Sequence, residues 1–176
     1  YDMGEQTLQC GRHIDSLKLW LPWKVYGDIG FQKHVDSCIN NAQLFHQMIA
    51  KNPKFKLVFD QTTYANVCFW YVPKGGLTYG QLHQLTPAMK EALLYDGRLM
   101  INYQPMKDLP NFFRMVFHDS RLIIEDLENI LSILEEVGDR VANQLFGNYE
   151  HSPTIENLIE NNNNSERRGF FSNWKK

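Results

Sequence analysis

The sequence predicts an α+β domain, built as a short antiparallel or mixed sheet with helices on one face. Three observations lead there. Segments of helical and strand periodicity follow in the order helix, helix, strand, strand, helix, strand, strand, helix. The strands come in adjacent pairs with few single βα alternations, which disfavours a parallel sheet. A chain of 176 residues with 43% hydrophobic content is long enough for one packed core.

The first helix is read over residues 12–26, where Ile14, Leu17, Leu21 and Val25 recur at helical spacing. Leu19, Trp20, Leu21, Pro22 and Trp23 make it apolar nearly all round. Such a helix is buried on every side, at a domain or subunit interface. Pro22 removes a backbone donor and clashes one turn back, so a kink or break is expected there. Gly27, Asp28 and Gly30 punctuate. A second helix runs from about Phe31 to Ala50, with Phe31, Val35, Cys38, Ala42, Phe45 and Ile49 in a single stripe. Asn52-Pro53 stops it.

Phe55, Leu57 and Phe59 alternate as a half-buried strand, and the apolar run Val67 to Val72 reads as a strand buried on both faces. A loop follows at Pro73, Gly75 and Gly76. Leu82, Leu85, Met89 and Leu93 mark the third helix, with Pro87 as a defect or a starting point and Asp96-Gly97 as its end. Leu99 to Tyr103 reads as a strand, Gln104 to Pro110 as a loop, and Phe112 to Phe117 as a strand carrying Arg114. Leu127, Leu131, Leu134, Val137, Val141 and Leu145 set the last long helix. Beyond Gly147 the composition shifts, an Asn161 to Asn164 run appears, and a disordered tail is expected.

Charge and cysteine content narrow the function. The net charge of -2 gives no basic excess for nucleic acid. The longest apolar run, Leu19 to Trp23, is too short for a membrane span. Cys10, Cys38 and Cys68 are an odd, sparse set without metal-ligand spacing, which points to a reducing compartment and a cytoplasmic location. No signal peptide is read at the start, and Tyr1 looks like a cut rather than a natural beginning.

Few residues advertise chemistry. There is no glycine-rich phosphate loop, no H-E-x-x-H and no C-x-x-C. Cys10 and His13 lie within one helical turn, as an activated thiolate or as an unreactive pair. Glu125-Asp126 and Glu135-Glu136 read as the solvated face of the last helix. Arg114 stands out, because Asn111-Phe112-Phe113-Arg114-Met115-Val116 is otherwise without charge. Its guanidinium is exposed, paired with an internal carboxylate, or holding an anionic ligand at a pocket edge. A planar fork suits a carboxylate through two parallel hydrogen bonds.

Several motifs in order carry a resemblance. Tyr1-Asp2-x-Gly4, Gln9-Cys10-Gly11-Arg12-x-x-Asp15 and Lys18-x-Trp20-Leu21-x-Trp23-Lys24 open the series. Asn66-Val67-Cys68-Phe69-Trp70-Tyr71-Val72-Pro73, Tyr103-Gln104-Pro105 and Asn111 to Val116 continue it. Over about residues 1–140 the chain resembles the group II pyridoxal-phosphate-dependent amino acid decarboxylases, and most of all their animal glutamate and cysteine sulfinate branch.

The resemblance implies the C-terminal third of a fold-type I enzyme, a homodimer that uses pyridoxal 5'-phosphate. Residues 1–30 would close the large cofactor domain and supply the linking helix, 31–146 would form the small domain, and 147–176 the tail. It implies removal of the α-carboxylate of an acidic amino acid (glutamate, aspartate or cysteine sulfinate) to give an amine and CO2. Tyr64-Ala65-Asn66 leans toward the cysteine sulfinate type. The Schiff-base lysine, the aspartate on the pyridine nitrogen, the stacked histidine and the mobile loop would lie upstream of Tyr1, so this chain by itself is expected to be inactive. Arg114 matches the arginine of the Phe-Phe-Arg motif, which holds a carboxylate of the substrate. Cys10, Gly11 and Arg12 match a stretch near the active-site mouth and the dimer interface. Pro22 and a short loop from Lys74 to Tyr79 depart from the family pattern. The competing reading is a non-catalytic α+β module that binds a partner through Leu19 to Trp23.

Overall fold

The computed structural model describes residues 14–62 and 64–147. In chain order these form α1 (Asp15–Lys51), β1 (Phe55–Leu57), β2 (Asn66–Tyr71), α2 (Tyr79–Asp96), β3 (Asn102–Met106), β4 (Leu109–Val116) and α3 (Ile124–Phe146). The strands make one sheet in the order β1-β2-β4-β3, antiparallel at every pairing. The expected tail lies outside the described residues.

α1 joins the two helices expected from the sequence. The break between them is at Gly27, with φ 64° and ψ -177°, a backbone conformation that glycine alone adopts cheaply. No break occurs at Pro22, which sits inside the first half of the helix. The carbonyl that loses its donor there belongs to Lys18, an exposed residue that water can serve. Across the kink Trp23 stacks on Phe31 with centroids 5.0 Å apart, and its Nε1 donates to Asp28 Oδ1 at 2.5 Å.

Past the kink, Cys38, Asn41, Ala42, Phe45 and Ile49 face the core. Before it, Leu17, Leu19, Trp20, Leu21 and Trp23 are 45–54% exposed. The burial on every side expected for this segment is not met within this chain, because none of the described elements covers it.

Directly opposed residues share a sheet face. The pairs Phe55↔Tyr71, Leu57↔Phe69, Phe69↔Phe113 and Tyr103↔Phe113 therefore point to one side. All three helices meet that side. The Phe45 ring of α1 lies 5.9 Å from Phe69 and 5.4 Å from Phe117. The ammonium of Lys90, on α2, stands 5.5 Å from the Tyr103 ring. α3 presses Gly138 onto Tyr71 so closely that a Cβ there would fall 2.6 Å from the ring. Tyr71 Oη then donates to Asp139 at 2.6 Å, so the phenol ends in a polar partner beside a buried ring.

α2 begins with a Thr78/Gln81 capping box and ends at left-handed Gly97, φ 73°. Pro87 does not start this helix; it lies inside it. Its missing N–H leaves the carbonyl of His83 without an intrahelical donor. The side chain of Asn111, on β4, supplies one: Nδ2 donates to His83 O at 3.0 Å. Thr86 Oγ1 donates to the Asn111 carbonyl at 2.9 Å, closing a latch between α2 and β4.

β3 and β4 correct the sequence reading. The expected loop at Gln104 to Pro110 is mostly strand, and β3 starts at Asn102 rather than Leu99. Pro105 is tolerated because β3 is an edge strand with a register shift between Gln104 and Met106. Pro110 lies beyond the β2–β4 pairing, which ends at Phe69↔Phe113.

α3 also differs from expectation. Glu135 accepts from Asn52 Nδ2 at 2.5 Å and pairs with Lys54 at 3.4 Å, while Glu136 pairs with Arg98 at 2.8 Å. These carboxylates tie α3 to the end of α1 and to the segment after α2.

Candidate functional site

The sheet face without helices carries Asn66, Cys68, Trp70, Asn102, Gln104, Phe112 and Arg114, by the pairs Cys68↔Arg114, Asn102↔Arg114 and Gln104↔Phe112. Its two ends differ. At one, Trp70 and Phe112 are 1% and 2% exposed and meet edge to face at 6.1 Å, with Phe59 against Phe112 at 6.3 Å. At the other, Arg114 is exposed and borders a recess of about 210 Å³ shared with His46, Phe59, Gln61, Asn66 and Cys68.

Strand alternation puts Arg114 there. Asn111 and Phe113 turn toward the helices, so the residues between and after them turn to the open face. No carboxylate lines the recess. Among the described residues, Arg98, Arg121 and Arg140 each reach an Asp or Glu, whereas Arg114 reaches none. Cys68 does not act as the missing anion. Burial pushes its thiol up to about 11, and the opposing charge of Arg114 is the smaller effect. The thiol is neutral at physiological pH, so the guanidinium keeps its fork for a ligand. His46 reaches the recess from α1, with Nε2 3.4 Å from the carbonyl oxygen of Phe59.

A second recess of about 310 Å³ has Lys54, Lys74, Asp139 and Asn143 in its wall. Its chemistry is internal. Lys54 pairs with Asp139 at 2.7 Å, and Tyr71 donates to the same carboxylate. Burial acts to raise Asp139, but hydrogen bonds from Lys54 and Tyr71 outweigh it and hold the carboxyl below its ordinary range. This network fixes α3 to the sheet.

Of the residues singled out from sequence, Arg114 is placed at the open recess. Cys10, Gly11, Arg12 and His13 lie outside the described residues. His46 and Gln61 join Arg114 without any motif to announce them. His46 follows buried Phe45 in α1, which sets it at the margin of the core. Among the described residues no group of three His, Cys, Asp or Glu side chains could hold a metal ion, and no helix is long and apolar enough to cross a membrane. The Arg114 recess has no lysine in its wall, so it does not fit an aldehyde cofactor held as a Schiff base. It fits a small anion.

Residues 1–72 match the pyridoxal-dependent decarboxylase conserved domain. The structure is similar to mouse CSAD, at 36% identity and a TM-score of 0.67, over 78% of this chain and 30% of that one. It is similar to Oryza sativa TDC with PLP and tryptamine at 20% identity and a TM-score of 0.62, over 77% of this chain and 29% of that one. It is similar to the glutamate decarboxylase domain of a Vibrio parahaemolyticus diaminobutyrate-pyruvate transaminase and L-2,4-diaminobutyrate decarboxylase. That match has 15% identity and a TM-score of 0.63, over 78% of this chain and 28% of that one. The last two likenesses are of fold alone. The chain spans about 30% of the length of the solved relatives. The resemblance to group II pyridoxal-dependent decarboxylases, read from motifs, is met both by the family match and by the small-domain α+β fold.

Proposed function

We propose that this chain is the small-domain portion of a pyridoxal-5'-phosphate-dependent carboxy-lyase that removes the α-carboxylate of an acidic amino acid. Residues 1–30 then link to a large cofactor domain, and 31–146 form the small domain. The observation that carries the reading is Arg114, a guanidinium on an open sheet face that borders a recess without a carboxylate. The cofactor, when bound, supplies the electron sink for the pair left behind as CO2 departs. This chain's own share is to hold the substrate. A bidentate arginine fixes a carboxylate plane, and fixing the substrate sets the angle of the breaking bond and lowers the entropic cost of reaching it. Likeness to mouse CSAD at 36% identity, and Tyr64-Ala65-Asn66 at the recess end of β2, support cysteine sulfinate among the acidic candidates.

In the full-length protein, Arg114→Lys keeps the charge but loses the fork, and is expected to lower decarboxylation at least about a hundredfold. Cofactor absorbance should persist, because Arg114 serves the substrate. Full turnover with Arg114→Lys would sink this reading.

The exposed apolar segment Leu19 to Trp23 favours a second reading, a non-catalytic module that docks a partner there. That segment would equally meet the remainder of the longer protein. A decarboxylase requires a lysine bearing the cofactor elsewhere in that protein. Borohydride reduction of the holoprotein followed by peptide mapping finds the lysine if the first reading holds. Under the second reading no cofactor-bearing peptide appears.

A further inference from the structure

We infer that His46 is a second, proton-dependent donor for the anion that Arg114 binds, so that the site takes up a proton as it takes a carboxylate. The inference rests on the reading of Arg114 as a substrate arginine and adds a residue that helps set the site's selectivity.

His46 and Arg114 reach the same recess from different elements, α1 and β4. His46 Nε2 faces the carbonyl oxygen of Phe59 at 3.4 Å. A carbonyl only accepts, so this nitrogen carries the hydrogen. In the neutral ring Nδ1 is then a lone pair, which repels a carboxylate oxygen. In the protonated ring Nδ1 becomes a donor and the ring gains a positive charge. His46 therefore helps an anion only after gaining a proton.

The surroundings couple the two events. The other titratable groups in the recess wall are Arg114 from β4 and Cys68 from β2, and no carboxylate is among them. Asp60, next to Phe59, is exposed and lies outside the wall. With the recess empty, the fixed charge of Arg114 disfavours a second positive charge on His46. A bound carboxylate offsets that repulsion and favours the protonated ring. By reciprocity, protonation strengthens anion binding.

The test uses the full-length protein and glutarate, a dicarboxylate without the amino group that the chemistry needs. Calorimetric titration in two buffers of different ionisation heat reads the protons taken up. Glutarate is expected to bind roughly 5- to 10-fold more tightly at about pH 6 than at about pH 8, with net proton uptake. His46→Gln, which offers an amide donor at every pH, should flatten the pH dependence and remove the uptake. Proton uptake that persists in His46→Gln, while Arg114→Lys abolishes binding, overturns the role of His46 and leaves Arg114 in place. Binding untouched by Arg114→Lys overturns the substrate-arginine reading and this inference with it. A measurement that needs no variant serves if His46→Gln folds poorly. The titration midpoint of the His46 ring resonances in the wild-type protein should move up when glutarate is added, and a midpoint that does not move overturns the proposal.

Discussion

The two halves of α1 are both rich in apolar side chains, yet they have opposite fates. After Gly27 the apolar residues form one stripe, and Phe45 and Ile49 are fully buried. Before Gly27 they surround the helix, and Trp20 and Leu19 are 54% and 52% exposed. A stripe has a partner in the sheet beside it. A helix apolar on every side needs more neighbours than one small sheet and two further helices provide. Apolar content alone thus says that a segment wants burial, and its angular distribution says whether this chain can provide it.

The largest effect should separate the halves directly. Phe45→Ala is expected to cost about 3–5 kcal/mol in denaturant unfolding, because it empties a site ringed by Phe69 and Phe117. Trp20→Ala should stay within about 0.5 kcal/mol in this chain, since it removes a mostly exposed ring. Equal losses would erase the distinction.

Next in size is association. The isolated chain should self-associate through Leu17, Trp20, Leu21 and Trp23, and sedimentation should show the weight-average mass rising with concentration. The pair Trp20→Gln and Trp23→Gln should suppress it. A clean monomer of the unaltered chain at high concentration would contradict the comparison.

Gly27→Ala probes the joint. An alanine at φ 64° and ψ -177° carries strain of about 1–3 kcal/mol, which local straightening of α1 would relieve. Amide exchange should quicken between Trp23 and Phe31 while the amides around Phe45 keep their protection. Loss of protection throughout would mean that the halves fold as one unit.

The smallest effect concerns pH and sharpens the buried side. Asp139 is held below its ordinary range by Lys54 and Tyr71 against the opposing effect of burial. Its contribution to stability is therefore present above the unfolded-state value of about 3.9 and is lost as pH falls from there through the lower folded-state value. Asp139→Asn should flatten the melting temperature against pH below about pH 4 relative to wild type. An unchanged acid slope would show that this carboxylate is not coupled to folding.

Where a single local pattern decided the structure, the sequence was legible. The Phe31 to Ile49 stripe and the Val67 to Val72 run both fall on observed elements. Arg114 was visible as the one charge in an apolar strand, and alternation then set it on the open face. The proline positions were less legible, because their cost depends on surroundings. Pro22 is spared by an exposed carbonyl and Pro105 by an edge position. His46 was not legible at all. Its significance comes from a recess wall shared by α1, the loop after β1, β2 and β4, and no spacing along the chain encodes that.

The latch between Pro87 and Asn111 has a consequence for how this chain can change over time. Asn111 is useful because Pro87 leaves the His83 carbonyl without a donor. Asn111 itself is 5% exposed, and its Oδ1 has no partner. Replacing Asn111 first strands a buried carbonyl, a loss of roughly 1–3 kcal/mol. Replacing Pro87 first restores the backbone donor, and the amide then competes for an acceptor already served. The two positions are epistatic, and the order of substitution matters. A lineage that loses the proline frees Asn111 to vary, whereas one that keeps it holds the asparagine three residues before Arg114 in place, for a reason that has nothing to do with substrate.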